Sequence, residues 1–351
     1  MKILHIINSL QVGGAETLLL HASTELISRG HHVDVLALEE GNPIIEERFS
    51  RNNIRVIHLH NQRYLSIIEF LRIIRNLGQY DIYHTHLYPA LLYGWIAKLL
   101  GFATKLVHTE HSTTNNRRKW YLWAFENALY SLMNAVICIS GGVQETLNNW
   151  LPNSKNKSTV ILNAIAPSRK KEIYIRDSSR VLRFLSVGRL VKDKNFELQL
   201  KMLAMIDGVT IDIAGDGPLK RELQILAEKL GVGDRVRFLG NVADMVNLYQ
   251  QYDAYIHTAT NEGFGLVVGE AMSAGLPVLV PHLPGIEEVA GDSGLFFDSN
   301  NLSELCKKVI LIKDMNQNDY SNLCLGSLQR SNYFGIDQHV SKLEALYQEI
   351  S

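Results

Sequence analysis

Short apolar runs of strand length alternate with amphipathic stretches of helix length along this chain, and the alternation stops once and then restarts. In the first half the runs Lys2–Asn8, His32–Leu38, Arg55–His58, Ile82–His84, Lys105–Thr109 and Ala135–Ser140 read as strands. Ala15–Ser28 and Leu65–Leu77 read as helices between them. Pro152–Ser158 reads as surface loop, and Ala166–Ser179 is polar, contains Pro167 and reads as a linker. Beyond it, strands are expected at Arg183–Val187, Thr210–Ala214, Arg235–Leu239, Ala254–His257, Pro277–Val280 and Leu295–Phe297. Helices are expected at Phe196–Met205, Pro218–Leu230, Val242–Tyr249 and Leu266–Ala274. Alternating strands and helices imply βαβ units and parallel sheets. Two arrays of similar size imply an α/β protein of two Rossmann-like domains, 1–165 with 334–351, and 166–333. The last segment, Gln338–Ile350, carries Val340, Leu343, Leu346 and Tyr347 at helical spacing.

Composition narrows the function classes. Of 351 residues 46% are hydrophobic and 20% charged, which is a core-forming balance. A net charge of −1 argues against a dedicated nucleic-acid binder. Residues 1–165 hold 15 Lys/Arg against 12 Asp/Glu, a small basic excess. Cys138, Cys306 and Cys324 are too few and scattered for a disulfide framework or a cysteine zinc site. The opening Met1–Ile7 is too short and too soon polar for a signal peptide. Leu91–Phe102 contains Lys98 and is too short to span a bilayer. A cytoplasmic protein is expected.

Several loops carry chemistry. Val12-Gly13-Gly14-Ala15-Glu16 joins a strand to a helix, where glycines let backbone amides approach an anion. An ordinary tight turn reads equally well. Neither this loop nor Gly215-Asp216-Gly217-Pro218-Leu219-Lys220 completes Gly-x-Gly-x-x-Gly, which disfavours a dehydrogenase. Ser186-Val187-Gly188-Arg189 delivers Arg189 to a strand's C-terminal end, with Lys192, Asp193 and Lys194 just after. Arg189 and Lys194 could grip one diphosphate, the first as a planar fork and the second as a point charge. A solvated basic loop is the plainer alternative. Asp193 or Asn195 is placed to cap the next helix. The strongest signal is Thr260-Asn261-Glu262-Gly263-Phe264-Gly265-Leu266-Val267-Val268-Gly269-Glu270-Ala271-Met272. Glu262 sits in a glycine-rich loop that opens a helix, and Glu270 sits two turns into it among apolar neighbours.

That run resembles the Glu-x7-Glu motif of glycosyltransferase family 4, the retaining GT-B enzymes. The resemblance covers nearly the whole chain. Gly13-Gly14 is similar to the family's donor-phosphate loop, and Gly188-Arg189 with Lys194 to its diphosphate clamp. Gly215-Asp216-Gly217-Pro218, Phe238-Leu239-Gly240 and Ile139-Ser140-Gly141-Gly142 are also similar to family segments. The resemblance implies two Rossmann-like domains facing across a cleft, with the C-terminal helix crossing back to the N-terminal domain. It implies a nucleoside-diphosphate sugar donor, most commonly a UDP-sugar, and no cofactor. Arg189 and Lys194 would hold the diphosphate. Glu262 would contact the donor sugar, near the amides of Gly263, Phe264, Gly265 and Leu266. Glu270 would bind the ribose, and the base would lie by Gly240, Asn241 and Val242. Catalysis would rest on Glu262, His111, Arg189 and Lys194. The acceptor would be a glycan or lipid-linked glycan, in cell-surface polysaccharide synthesis. Asn163-Ala164-Ile165-Ala166 departs from the family's pattern, which has Gly and then an acidic residue there.

His108-Thr109-Glu110-His111-Ser112 follows a strand, and the resemblance places His111 near the transferred sugar. His84 and His86 share one face of a strand and, with His108 and His111, are a rival zinc set. Histidines that merely satisfy buried polar groups are commoner, and no metal site is expected. No Asp-x-Asp pair occurs, so carboxylate-held Mg²⁺ on the donor is not suggested. Arg117-Arg118-Lys119-Trp120-Tyr121-Leu122-Trp123 fits an anionic lipid surface at the inner face of a membrane. It fits a helix with basic residues in solvent better, because Leu129 and Met133 continue at core spacing. A GT-B nucleotide-sugar epimerase, a noncatalytic sugar-nucleotide binder and a phosphorylase remain as other readings.

Overall fold

The computed structural model describes residues 1–11, 13–59, 67–113, 115, 117–165 and 180–351. Val12 and the expected linker Ala166–Ser179 lie outside the described residues. The chain divides into two compact units, Met1–Ala164 with Ile336–Ser351, and Ile165–Gly335.

The first unit is built on strands β1 (Lys2–Ile7), β2 (His32–Ala37), β3 (Arg55–His58), β4 (Ile82–His86), β5 (Leu106–Glu110), β6 (Ala135–Cys138) and β7 (Ser158–Val160). They form one sheet in the order β3-β2-β1-β4-β5-β6-β7, and every pair is parallel. β7 falls at the end of a stretch expected to be loop. Its residues Ser158 and Thr159 give no apolar run, and it forms by adding an edge to β6. Central strands are buried along nearly their whole length, as parallel sheets covered on both faces require.

The second unit carries β8 (Leu182–Val187), β9 (Val209–Ala214), β10 (Val236–Gly240), β11 (Ala254–Ile256), β12 (Val278–Pro281) and β13 (Gly294–Phe297). Their order is β10-β9-β8-β11-β12-β13, again all parallel. One core, including Phe184, Leu200, Ile211, Ile213 and Val309, fills the space between this sheet and its helices.

The final helix, Ile336–Ile350, returns to the first unit. Val340, Leu343 and Tyr347 pack in one cluster with Ile3, Ile82 and Val107. Burying such side chains contributes ~1.5–3 kcal/mol each. Glu344 pins the helix at its rim through Arg29 and His31, at 2.7 and 2.6 Å.

Candidate active site

Strand order reverses between β1 and β4 in the first sheet and between β8 and β11 in the second. Connections at such a reversal leave to opposite faces, and a crevice opens at the C-terminal strand ends. The residues marked out by the sequence cluster around these ends.

In the second unit, Gly188 and Arg189 follow β8 directly. The Gly215–Gly217 loop lies hard against them: Gly188 N donates to Ala214 O and Leu190 N to Asp216 O, both at 3.0 Å. A Cβ on Gly215 (φ +131°) would fall 2.1 Å from Gly188 O, and one on Gly217 2.6 Å from Leu190 O. These glycines therefore serve backbone packing. Gly240 (φ +68°) accepts from Gly215 N at 2.7 Å, which ties the end of β10 to the same loop. Asn241 is exposed and Val242 half-buried just beyond.

The Arg189 side chain is exposed and has no recorded partner among the described residues. Lys194 does have one. A short turn at Lys192–Lys194 is held by Thr260 N donating to Asp193 O at 2.8 Å and by the Thr258 hydroxyl, 3.0 Å from both Lys194 O and Asn195 O. This binding of the β8 loop to the β11 loop sets Lys194 Nζ 2.5 Å from Glu262 Oε2. Asn195 stands at the N-cap position of helix Phe196–Met205, but its side chain caps nothing. Its left-handed backbone (φ 49°) points Nδ2 toward Ser299 O at 3.5 Å instead, which corrects the expected cap.

Burial works to raise the Glu262 carboxyl, but His257 and the charge of Lys194 outweigh it and hold the group down at about 2. His257 Nε2 lies 3.5 Å away, so the Lys194 contact is the tighter of the two. Glu262 is therefore an anion at neutral pH and can only accept hydrogen bonds. Gly265 (φ +87°) is the N-cap that turns the chain into helix Leu266–Ser273, whose N-terminal amides begin at Leu266. Gly285 lets its helix approach the loop, since a Cβ there would meet Gly263 O at 2.4 Å. Phe264 is buried edge-on against Phe334. Glu270, one turn into the helix rather than the expected two, is not a surface charge. Burial raises its carboxyl, and Tyr249 OH, donating to Oε2 at 2.9 Å, works the other way.

In the first unit, Gly13 is the N-cap of helix Gly14–Ser28. The Glu16 carboxylate folds back so closely that a Cβ on Gly13 would lie 2.4 Å from its Oε2. Glu16, raised by burial, thus covers the turn where an anion was expected. His111 follows β5, and burial lowers it to about 4, so it is neutral at pH 7. Its Nε2 lies 3.4 Å from His86 Nδ1, and His86 Nε2 lies 3.0 Å from His5 Nδ1.

Among the described residues, the group that approaches metal-ligand spacing is His5, His84 and His86, with ligand atoms within 4.8 Å of one another. It differs from the rival set of His84, His86, His108 and His111, because register pairs His5 with His84 and Ile7 with His86, while His108 turns to Thr85 at 2.9 Å. Both His84 nitrogens are taken by hydroxyls, Tyr347 at 2.6 Å and Thr109 at 2.7 Å. A cation here would have to break those bonds, and its charge would sit among neutral buried rings.

Sequence reasoning overlooked His257, Tyr249, Glu16 and His5. Only His257 had a usable signal, as a polar residue closing the apolar run before Glu262. Tyr249 meets Glu270 only through tertiary packing.

Residues 12–169 match the family described as Glycosyltransferase Family 4, and residues 170–323 match Glycosyl transferases group 1. The chain belongs to the family 4 glycosyltransferases. It is 26% identical over 325 residues to the phosphatidylinositol N-acetylglucosaminyltransferase GPI3 subunit of Saccharomyces cerevisiae, covering 84% of this chain and 71% of that one. It is 26% identical over 352 residues to the alpha-monoglucosyldiacylglycerol synthase of Streptococcus pneumoniae, covering 89% of this chain and 78% of that one. Its fold matches HepE of Anabaena, crystallised with UDP and glucose, with a TM-score of 0.85 at 22% identity over 99% of this chain and 100% of that one. This glycosyltransferase accordingly has the GT-B architecture of paired Rossmann-like domains.

Proposed function

We propose that this glycosyltransferase moves a sugar from a UDP-sugar, with retention and without a metal ion, to a glycan or lipid-linked glycan in cell-surface polysaccharide synthesis. The reading puts it on the cytoplasmic side of the membrane. The observation that carries it is the Lys194–Glu262 pair at the mouth of helix Leu266–Ser273, with Glu270 held by Tyr249 one turn into that helix. An ionised carboxylate beside a cation and helix amides suits a ligand with hydroxyls at one end and a diphosphate at the other. Glu262 would accept from sugar hydroxyls and Glu270 from the ribose diol. The UDP bound to the Anabaena structure supports uridine. The names of the yeast and pneumococcal relatives support a lipid-borne acceptor.

Transfer breaks the bond from the sugar's anomeric carbon to the diphosphate and forms one to the acceptor oxygen on the same face. The acceptor's proton passes to the departing phosphate oxygen. Arg189, Lys194 and the amides near Leu266 stabilise the charge that develops there. With that charge already met, and with no Asp-x-Asp pair in the sequence, the chemistry calls for no Mg²⁺. His111, neutral at pH 7, would hydrogen-bond the sugar rather than act as a cation. A screen of sugar nucleotides for thermal shift and for transfer tests the reading. Stabilisation by UDP and by one UDP-sugar is expected. Response to inorganic phosphate alone would indicate a phosphorylase, and release of an isomerised donor without acceptor an epimerase.

A further inference from the structure

The histidines of the first unit form a line that ends at His111. His5 stands on β1 and His86 on β4, strands that pair directly. His5 Nδ1 lies 3.0 Å from His86 Nε2, and His86 Nδ1 lies 3.4 Å from His111 Nε2. The His84 ring packs on the middle ring, with centroids 4.2 Å apart and planes tilted by 31°, and so fixes its orientation. His84 is itself held at both nitrogens by the hydroxyls of Tyr347 and Thr109. Burial lowers His5, His86 and His111, so each ring is neutral at pH 7 and carries one N–H and one lone pair. Two N–H groups or two lone pairs cannot share one hydrogen bond. The proton's place on one ring therefore dictates its place on the other two.

We infer that His86 is a positioning residue: it holds His111 in the tautomer with the proton on Nδ1, so that His111 donates a hydrogen bond to an oxygen of the donor sugar. The inference deepens the glycosyl-transfer reading and rests on it for the presence of that sugar. The direction of the line comes from His5, whose Nε2 is buried with no partner. A proton there would be a buried N–H without an acceptor, which folded proteins rarely contain. With its proton on Nδ1 instead, His5 donates to His86 Nε2. His86 must then carry its own proton on Nδ1 and donate it to His111 Nε2. That leaves the His111 proton on Nδ1. The other ionisable groups that act on His111 are His108, Glu110 and His339. Each is engaged elsewhere: His108 Nδ1 with Thr85 Oγ1 at 2.9 Å, Glu110 with the Tyr130 hydroxyl, and His339 Nδ1 with Leu162 O at 2.8 Å. Among the described residues the bond recorded to the His111 ring is the one with His86. The tautomer matters for recognition. A lone pair facing the sugar would need a hydroxyl proton, whereas an N–H is met by any sugar oxygen, the ring oxygen included.

The test is ¹⁵N NMR of the full chain carrying ¹⁵N-labelled histidine, at neutral pH with no donor present, the His111 signals being assigned by their loss in His111→Gln. A protonated Nδ1 and an unprotonated Nε2 are expected at His111. His86→Leu removes the bond, and His111 should move toward the Nε2–H form that an unconstrained histidine prefers. His86→Asn places an amide nitrogen near the position of Nδ1 and should restore the Nδ1–H form. Turnover of His86→Leu should fall about tenfold with UDP affinity unchanged, and that of His86→Asn should return to within about threefold of the unsubstituted chain. A proton on His111 Nε2 in the unsubstituted chain would overturn the inference with no variant needed, so a His86→Leu chain that fails to fold does not shield it. An unaltered tautomer in folded His86→Leu would overturn it too, as would equal loss of turnover in the Leu and Asn variants when both melt like the unsubstituted chain. Because the tautomer is read with no donor present, failure of this inference and failure of the glycosyl-transfer reading are separate results.

Discussion

In the first unit His5, His84 and His86 are buried and held neutral by desolvation, meeting one another and neighbouring hydroxyls. In the second, Glu262 is also largely buried but stays charged, because His257 and the charge of Lys194, 2.5 Å away, outweigh burial. Both interiors satisfy polar groups, yet they prepare for different work. Neutral rings in hydrogen-bonded contact shape a site and its hydrogen bonding. Lys194, paired with Glu262, and an exposed Arg189 on the same loop after β8 offer fixed charge to an anionic ligand, and that is where donor binding is expected to be decided.

The sharpest way to break this comparison is to remove the cations. Arg189→Ala with Lys194→Ala should weaken UDP at least about 100-fold by calorimetry, and each single change about 10–100-fold. Lys194→Ala should in addition raise the Glu262 carboxyl, since it deletes the nearest charge holding that group down. Unchanged UDP affinity in the double variant would remove the diphosphate site from this loop.

Acid should separate the two units. His5 is lowered from 6.5 to about 3 in the fold, so unfolding takes up a proton at any pH between those values. The stability it contributes is complete above 6.5 and is lost as pH falls toward 3. By about pH 5 the loss is ~2 kcal/mol for His5, and His84 and His86, also lowered by burial, add to it in the same direction. Glu262 is lowered from 4.5 to about 2, so its contribution persists until pH drops below 4.5. Hydrogen exchange followed by mass spectrometry should show protection falling further in the first unit, with buried His5, His84 and His86, than in the second, where burial lowers His257, as pH goes from 6.5 to 4.5. The reverse order would contradict the assignment of neutral and charged interiors.

Smaller effects test the supports. Tyr249→Phe deletes the bond at Glu270 Oε2 and should raise that carboxyl further. UDP should bind about threefold to tenfold more weakly, the worth of one ordinary hydrogen bond, because Tyr249 acts on the nucleotide only through Glu270. Chelation should have the least effect: EDTA is expected to leave turnover unchanged. Loss of turnover restored by Mg²⁺ or Mn²⁺ would show that the two cations do not suffice for the diphosphate, and selective rescue by Zn²⁺ would point to the histidine group.

Much of the fold was legible because parallel strands buried on both faces write themselves as apolar runs, as in Ile3–Ile7 and Val278–Val280. β7 was not, because an edge strand needs only backbone pairing with β6. Glu262 and Glu270 were visible through their spacing around Gly265, whose left-handed turn has a sequence requirement. Their partners were not. Lys194 reaches Glu262 across 68 residues and Tyr249 reaches Glu270 across 21, contacts that depend on which strands adjoin. His5 joins His84 and His86 only through the β1–β4 register.

The central claim is that Glu262 serves the sugar and Glu270 the nucleotide. It is tested by calorimetric UDP affinity measured beside turnover for Glu262→Gln and Glu270→Gln, each with a thermal melt to confirm folding. The account predicts that Glu262→Gln keeps UDP affinity within about threefold while turnover collapses, because its contacts are with the transferred sugar. Glu270→Gln should weaken UDP itself, since a ribose contact exists with or without a sugar. Loss of UDP affinity in Glu262→Gln with none in Glu270→Gln would contradict the assignment, and unaltered turnover in both would move the reaction away from this loop altogether.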